Sequence, residues 1–254
     1  MANGITGKTA IVTGASRGIG AATCRMLAHE GAAHIVVHYH SFREGAETLA
    51  QELEALGAKV TMLGADLGSQ EGIAGFILDL NKKAKGAEIL VNNAGHLVQR
   101  AKLAEFTSDL WDEVMNLNAK SVYFVSQAVA PGMAAAGGGV IINLSSIAAR
   151  NGGGPGATIY AASKAAVACM TKGMAKELAP QRIRVNAVSP GTVDNYFHEK
   201  YSSRQMLDGV IAQTPAGKLG TNEEIADTIQ FLCSDAAAYI IGQTIEINGG
   251  MYMV

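Results

Sequence analysis

Cysteine is scarce in this 254-residue chain: only Cys24, Cys169 and Cys233 occur. They lie far apart, show neither CxxC nor metal-ligand spacing, and each falls in a stretch of helical pattern. They read as small buried hydrophobes in a reducing compartment. Charge is also sparse, at 17% of residues with a formal net charge of -2. No run of Lys or Arg stands out, which argues against nucleic acid and against a membrane-surface role. No apolar run approaches the roughly 18 residues that a membrane span needs, and no basic segment followed by an apolar one opens the sequence. The expectation is a soluble, cytoplasmic protein. Internal repeats, linkers and low-complexity tracts are absent as well. What remains, with 48% hydrophobic residues, suits one large α/β domain over residues 1–254.

Short apolar runs of buried-strand type alternate with amphipathic helical stretches. Strands are expected at residues 9–13, 34–39, 59–63, 88–91, 140–144, 184–188 and 244–247, and helices from about 18 to 30 and over 44–56, 70–84, 108–136, 157–178 and 223–234. Such alternation predicts a doubly wound parallel sheet of about seven strands with helices on both faces, and ligands at the carboxyl ends of the strands. Residues 192–217 have no firm periodicity, and a segment of that length is expected to act as a lid or substrate loop.

The loops after the strands carry the informative residues. Gly14, Gly18 and Gly20 permit a tight turn in which backbone N–H groups and a helix N-terminus can meet a phosphate. No GK[ST] follows, which excludes a nucleoside-triphosphate loop. After the second strand come Tyr39, His40 and Ser41, with no acid before Glu44, and Arg17 stands within reach. A carboxylate there would hold a ribose 2′-hydroxyl, so its absence predicts NADP(H) over NAD(H). His38 and His40 read as an exposed strand face, and without a third ligand they make no metal site. Asn118, inside a long helical block, is expected to be exposed or bonded to its own backbone. Tyr160 and Lys164 fall one turn apart, so a phenol and an ammonium share one helix face, and an adjacent cation favours the phenolate. Taken alone, that pair reads first as a surface coincidence, because such pairs are common.

The ordered set Thr13-Gly-Ala-Ser-Arg-Gly-Ile-Gly20, Asn92-Asn-Ala-Gly95, Asn118, Ser146, Tyr160-x-x-x-Lys164 and Pro190-Gly191 resembles the short-chain dehydrogenase/reductase family, with its Rossmann-like fold, over essentially the whole chain. The closing stretches, from Thr214 to Gly220, Phe231 to Asp235 and Asn248 to Val254, look particularly like 3-oxoacyl-acyl-carrier-protein reductases. The resemblance implies that Tyr160 is the general acid or base and that Lys164 lowers its pKa and bonds the nicotinamide ribose. Ser146, the second serine of its pair, would hold the substrate oxygen, and Asn118 a water that links Lys164 to solvent. It further implies cofactor contacts at Gly14, Ser16, Arg17, Gly18 and Ile19 for the phosphates, Asp66 and Leu67 for adenine, Asn93, Ala94 and Gly95 on the ribose side, and Pro190, Gly191 and Val193 at the nicotinamide.

Three departures stand out. Tyr160 lies fourteen positions after Ser146 where the family more often has thirteen. Asn195 occupies a place usually held by threonine, where its amide could bond a carboxamide. Residues 133–139 lack the basic groups that would steer an acidic carrier protein. The resulting expectation is an NADPH-dependent reductase of a 3-oxoacyl thioester, acting as a homotetramer, with acyl carrier protein as a possible partner. The alternatives are a sugar, polyol or small secondary alcohol dehydrogenase with the same Ser/Tyr/Lys chemistry, and a non-catalytic dinucleotide-binding regulator.

Overall fold

The structure, a computed structural model, describes residues 4–254. Seven strands form one all-parallel sheet: β1 (Thr9–Val12), β2 (His34–Tyr39), β3 (Lys59–Gly64), β4 (Ile89–Asn92), β5 (Gly139–Leu144), β6 (Ile183–Pro190) and β7 (Thr244–Ile247). Their order is β3-β2-β1-β4-β5-β6-β7. The chain runs outward in one direction from β1 and in the other from β4, so the switch point lies between these two strands, where Val12 pairs Val91. Loops leaving β1 and β4 part there and open a crevice.

Neighbouring strand residues serve opposite layers. Val12, Val37, Val91 and Ile142 pack under α1 (Gly18–His29), α2 (Arg43–Ala55) and α10 (Asn222–Cys233). Ile11, Val36, Leu90 and Ile141 pack under α3 (Gln70–Lys83), α5 (Ser121–Ala135) and α7 (Thr158–Leu178). Both faces are covered, which is why the strands read as unbroken apolar runs. Each fully buried Val, Ile or Leu contributes roughly 1.5–3 kcal/mol.

The expected 108–136 helix is three pieces: α4 (Ser108–Met115), a π-helical turn over Asn116–Lys120, and α5. The loop after β5 holds a short helix, α6 (Ala148–Asn151), and the segment after β6 holds two more, α8 (Tyr196–Tyr201) and α9 (Arg204–Gln213). Cys24 and Cys233 are buried as expected, but Cys169 is exposed on the outer face of α7. Among the described residues no helix is long and apolar enough to cross a membrane.

Candidate active site

One cavity of about 610 Å³ follows the carboxyl edge of the sheet from Arg17 to Tyr160. At its glycine-loop end the loops after β1 and β4 are tied together. Gly14 adopts φ +63°, and a Cβ there would lie 2.9 Å from Ala94 Cα, so only glycine fits. Asn93 Nδ2 donates to the carbonyls of Thr13 and Gly14 at 2.8 and 2.9 Å, while Thr13 Oγ1 accepts from the amides of Asn93 and Ala94. The Asn-Asn-Ala-Gly segment thus holds the glycine loop in place. A Cβ on Gly20 would meet Gly14 O at 2.5 Å, so this glycine lets α1 start hard against the loop. Arg17, the N-cap of α1, provides no side-chain cap, leaving the first-turn N–H groups for an anion.

His38 corrects the expectation of an exposed strand face, being only 2% exposed. A parallel strand covered on both sides has no exposed face to offer. Its Nδ1 accepts from Gly14 N–H at 3.0 Å, which leaves Nε2–H to donate to Ala65 O at 3.1 Å. Burial pushes its pKa down to about 4, so it stays neutral and clips the loops after β1, β2 and β3 together. With both ring nitrogens engaged it is no metal ligand.

At the Arg17 end the guanidinium is stacked between two rings, 3.9 Å from the Phe42 centroid and 4.1 Å from that of Tyr196. His40 and Ser41 line the cavity there, as do Asp66 and Leu67. Asp66 Oδ1 accepts from Gly68 N–H at 2.9 Å. Tyr39 does not line the cavity: its ring packs beside Gly64, facing away from the crevice because it alternates with its neighbours on β2.

The other end gathers the remaining candidates. A buried polar ladder fixes α7 against the sheet: Asn92 Nδ2 donates to Ser126 Oγ and Asn143 Oδ1, and Asn143 Nδ2 donates to Thr171 Oγ1, each at 2.9 Å. Ser145 Oγ donates to Lys164 O at 2.9 Å. Ser145 therefore positions the helix, while the next residue, Ser146, lines the cavity with Tyr160 and accepts from Ala148 N–H at 3.1 Å. Lys164, on the same face of α7, donates from Nζ to Leu144 O at 2.8 Å.

The expected phenolate-favouring effect is outweighed. Burial raises Tyr160 to about 12, against the opposing bond from Ser146, and burial lowers Lys164 to about 8. Asn118 is fully buried because the π turn rotates it inward. Its Nδ2 donates to Val114 O in its own helix and also to His96 O, both at 2.9 Å, while Oδ1 has no partner. Asn118 Oδ1 and Lys164 Nζ converge over Gly95, where an added Cβ would lie 2.6 and 2.9 Å from them.

Pro190, Gly191 and Val193 line the cavity as expected. Asn195 spends its amide on local structure: Oδ1 caps α8 by accepting from Phe197 N–H at 3.1 Å, and Nδ2 donates to Asn222 Oδ1 at 3.0 Å. The α8 segment lies over the site, with the Phe197 ring 5.8 Å from that of Tyr160. Sequence reasoning did not single out Phe42, His96 or Arg100, whereas Tyr196 and Phe197 fall in the 192–217 segment expected to act as a lid or substrate loop. The one local signal was the density of aromatic and basic residues in 192–217.

A dinucleotide fits the donor set: glycine-loop amides and an uncapped helix start at one end, Arg17 without a neighbouring carboxylate beyond it, and hydroxyl and amine groups at the other. A family described as Enoyl-(Acyl carrier protein) reductase matches residues 14–252. The 3-oxoacyl-[acyl-carrier-protein] reductase of Pseudomonas aeruginosa is 39% identical over 249 residues, covering 98% of this chain and 99% of that protein. Among solved structures, gluconate 5-dehydrogenase from Burkholderia cenocepacia, in complex with NADP and tartrate, superposes with a TM-score of 0.87 at 34% identity over 97% of this chain and 95% of that one. The 7 alpha-hydroxysteroid dehydrogenase complexed with NADH and 7-oxo glycochenodeoxycholic acid gives 0.89 at 32% identity over 97% and 94%.

Proposed function

The chain belongs to the short-chain dehydrogenase/reductase family and is an oxidoreductase acting on CH–OH and C=O groups, and on that premise we propose that it reduces a 3-oxoacyl thioester with NADPH. The observation that carries the reading is the gathering of Ser146, Tyr160, Lys164 and the unpartnered Asn118 Oδ1 at one end of a cavity whose far end presents Arg17. The substrate class rests on likeness to the 3-oxoacyl reductases.

A nicotinamide held beside Pro190, Gly191 and Val193 would supply the hydride for the carbonyl carbon. Ser146 Oγ–H donates to the carbonyl oxygen and stabilises the charge that grows on it. Tyr160 is protonated at neutral pH and gives its phenolic proton to that oxygen, completing the alcohol. Lys164, mostly charged at pH 7, bonds the nicotinamide ribose and favours the phenolate left behind. A water accepted by Asn118 Oδ1 returns a proton through Lys164. Gly14, Ser16, Gly18 and Ile19 receive the pyrophosphate, Arg17, His40 and Ser41 the 2′-phosphate side, Asp66 and Leu67 the adenine, Asn93, Ala94 and Gly95 the ribose, and Pro190, Gly191 and Val193 the nicotinamide. Tyr39 drops out of this set because its ring faces Gly64.

The enzyme acts in the cytoplasm as a homotetramer, with exposed Trp111, Tyr123 and Phe124 on α4 and α5 and the Met253-Val254 end available for subunit contact. Acyl carrier protein is the natural bearer of such a thioester. A second reading, oxidation of a sugar acid or polyol, is favoured by the likeness to gluconate 5-dehydrogenase. A panel of acetoacetyl thioesters, sugar acids, polyols and simple ketones, followed by nicotinamide absorbance, separates the two. Failure to turn over any acetoacetyl thioester rejects the first.

A further inference from the structure

The substrate half of the cavity has a wall whose chemistry the reaction itself does not need. From Tyr160 the wall continues through Phe197 to Tyr201, whose rings are 5.1 Å apart. Beyond them lies Arg100, half-buried and lining the cavity. Its Nε donates to Tyr201 O at 3.1 Å and its Nη1 to Pro155 O at 2.8 Å. The guanidinium is thereby held rigid by two neutral carbonyls. Three of its five N–H donors remain, and no Asp or Glu pairs with it among the described residues.

Lys200 adds a second cation to the same wall. The acids that line the cavity, Asp66 and Glu113, both stand beside Gly68 at the adenosine end. His96 contributes a fixed neutral donor: Nδ1 accepts from Val98 N–H at 2.8 Å, which leaves Nε2–H for the cavity. Val98 takes φ +65° to make that contact, a strained conformation for a β-branched residue. Two histidines sense the field. His96 is lowered to about 4 by burial and then by Lys200, and His198 to about 4 by burial and then by Arg100, with Asp194 opposing.

A fixed, unpaired guanidinium and a neutral N–H donor in a wall without carboxylates form a receptor for negative charge. We propose that Arg100, assisted by His96, seats an oxyanion carried by the substrate, a carboxylate or a phosphate, while the carbonyl lies at Tyr160. The inference rests on the carbonyl-reductase reading and narrows its substrate to an acidic carbonyl compound.

The test compares matched charged and neutral carbonyl compounds with NADPH: 5-oxohexanoate against its methyl ester, and acetoacetyl-coenzyme A against acetoacetyl-N-acetylcysteamine. The wild type should favour the charged member of at least one pair by about tenfold or more in kcat/KM, the usual scale of hydrogen bonds to a charged group. Arg100→Gln should bring that ratio near one, and Arg100→Lys should retain part of it. Collapse of the keto-acid ratio assigns a carboxylate, and collapse of the thioester ratio a phosphate of the carrier arm.

If Arg100 only braces Tyr201 against Pro155, Arg100→Gln lowers charged and neutral members by the same factor, and the proposal is overturned. Wild-type ratios near one in both pairs overturn it too. Should no carbonyl compound be turned over, the reductase reading is what fails. Stabilisation of the NADPH-loaded protein by 5-oxohexanoate in a melting curve, lost in Arg100→Gln, then supports the oxyanion seat, and its absence in the wild type rejects it.

Discussion

Lys164 directs its ammonium at the carbonyl of Leu144, 2.8 Å away, and its Nζ stands 5.9 Å from the centre of the Tyr160 ring. Burial, rather than their mutual influence, dominates the titration of both groups, pushing the phenol to about 12 and the amine to about 8. Below pH 8 the folded and unfolded chains both carry the Lys164 proton, and the folded chain bears the full penalty of a buried charge. Between about 8 and the ordinary 10.5 the folded amine is neutral, and the penalty disappears. Lys164→Met should therefore stabilise the protein at pH 7 by up to about 3 kcal/mol, less the lost bond to Leu144, while turnover falls at least about 100-fold. Melting curves at pH 7 and pH 10.5 check this: the gain should shrink at the higher pH, and equal gains at both would refute it.

Tyr160→Phe should lower kcat by roughly 10²–10⁴-fold, the range for removing a general acid, with NADPH affinity within about twofold of wild type. Fluorescence titration of NADPH beside steady-state kinetics makes the measurement. An active variant would show that the proton comes from elsewhere.

Gly95→Ala would drive a methyl group against Asn118 Oδ1 and Lys164 Nζ, at 2.6 and 2.9 Å. Turnover should fall at least about tenfold, since a displacement of an ångström misaligns reacting groups. Wild-type kinetics in this variant would mean that the convergence over Gly95 has no part in catalysis.

His38 links stability to acid. Its folded pKa of about 4 lies below the ordinary 6.5, so the unfolded chain binds more protons between those values. Stability is complete above pH 6.5 and is lost as pH falls toward 4, by up to roughly 3 kcal/mol from this residue. His96 and His198 act in the same direction. His38→Asn should be less stable at pH 7 but lose less on going to pH 4.5. A parallel decline of variant and wild type in melting temperature would exclude His38 as the cause.

Arg17 should set the choice of cofactor. The ratio of kcat/KM for NADPH over NADH should exceed one in the wild type and fall by about tenfold or more in Arg17→Ala, through loss of a charge-assisted contact to the 2′-phosphate. Preference for NADH in the unaltered enzyme would refute the reading of residues 39–43.

The strands were readable because both faces of the sheet are buried, and the switch point followed from their alternation. The same two-sided burial hid His38, since β2 is covered on both faces. Neither α8 nor α9 buries a residue in the core: α8 spans only six residues, and α9 does repeat Met206, Leu207, Val210 and Ile211 at helical spacing, a stripe too short to stand out within 192–217. The π turn at Asn116–Lys120 inserts its extra residue without changing composition, which hides the inward rotation of Asn118. Ser146, Tyr160 and Lys164 were found as a pattern, but the weight of burial on their titration needed the packing of α7.

The ring–guanidinium–ring stack of Phe42, Arg17 and Tyr196 ties the loop after β2 to the helix over the candidate site. One face of the guanidinium is held by Phe42 of the loop after β2, the loop proposed to meet the adenosine, and the other by the first residue of the helix over the candidate site. A lineage that exchanged Arg17 to accept the other nicotinamide would unlatch that helix in the same step. Coenzyme preference and product residence time would then drift together, and a laboratory redesign of one would need a compensating change at Tyr196 to keep the other.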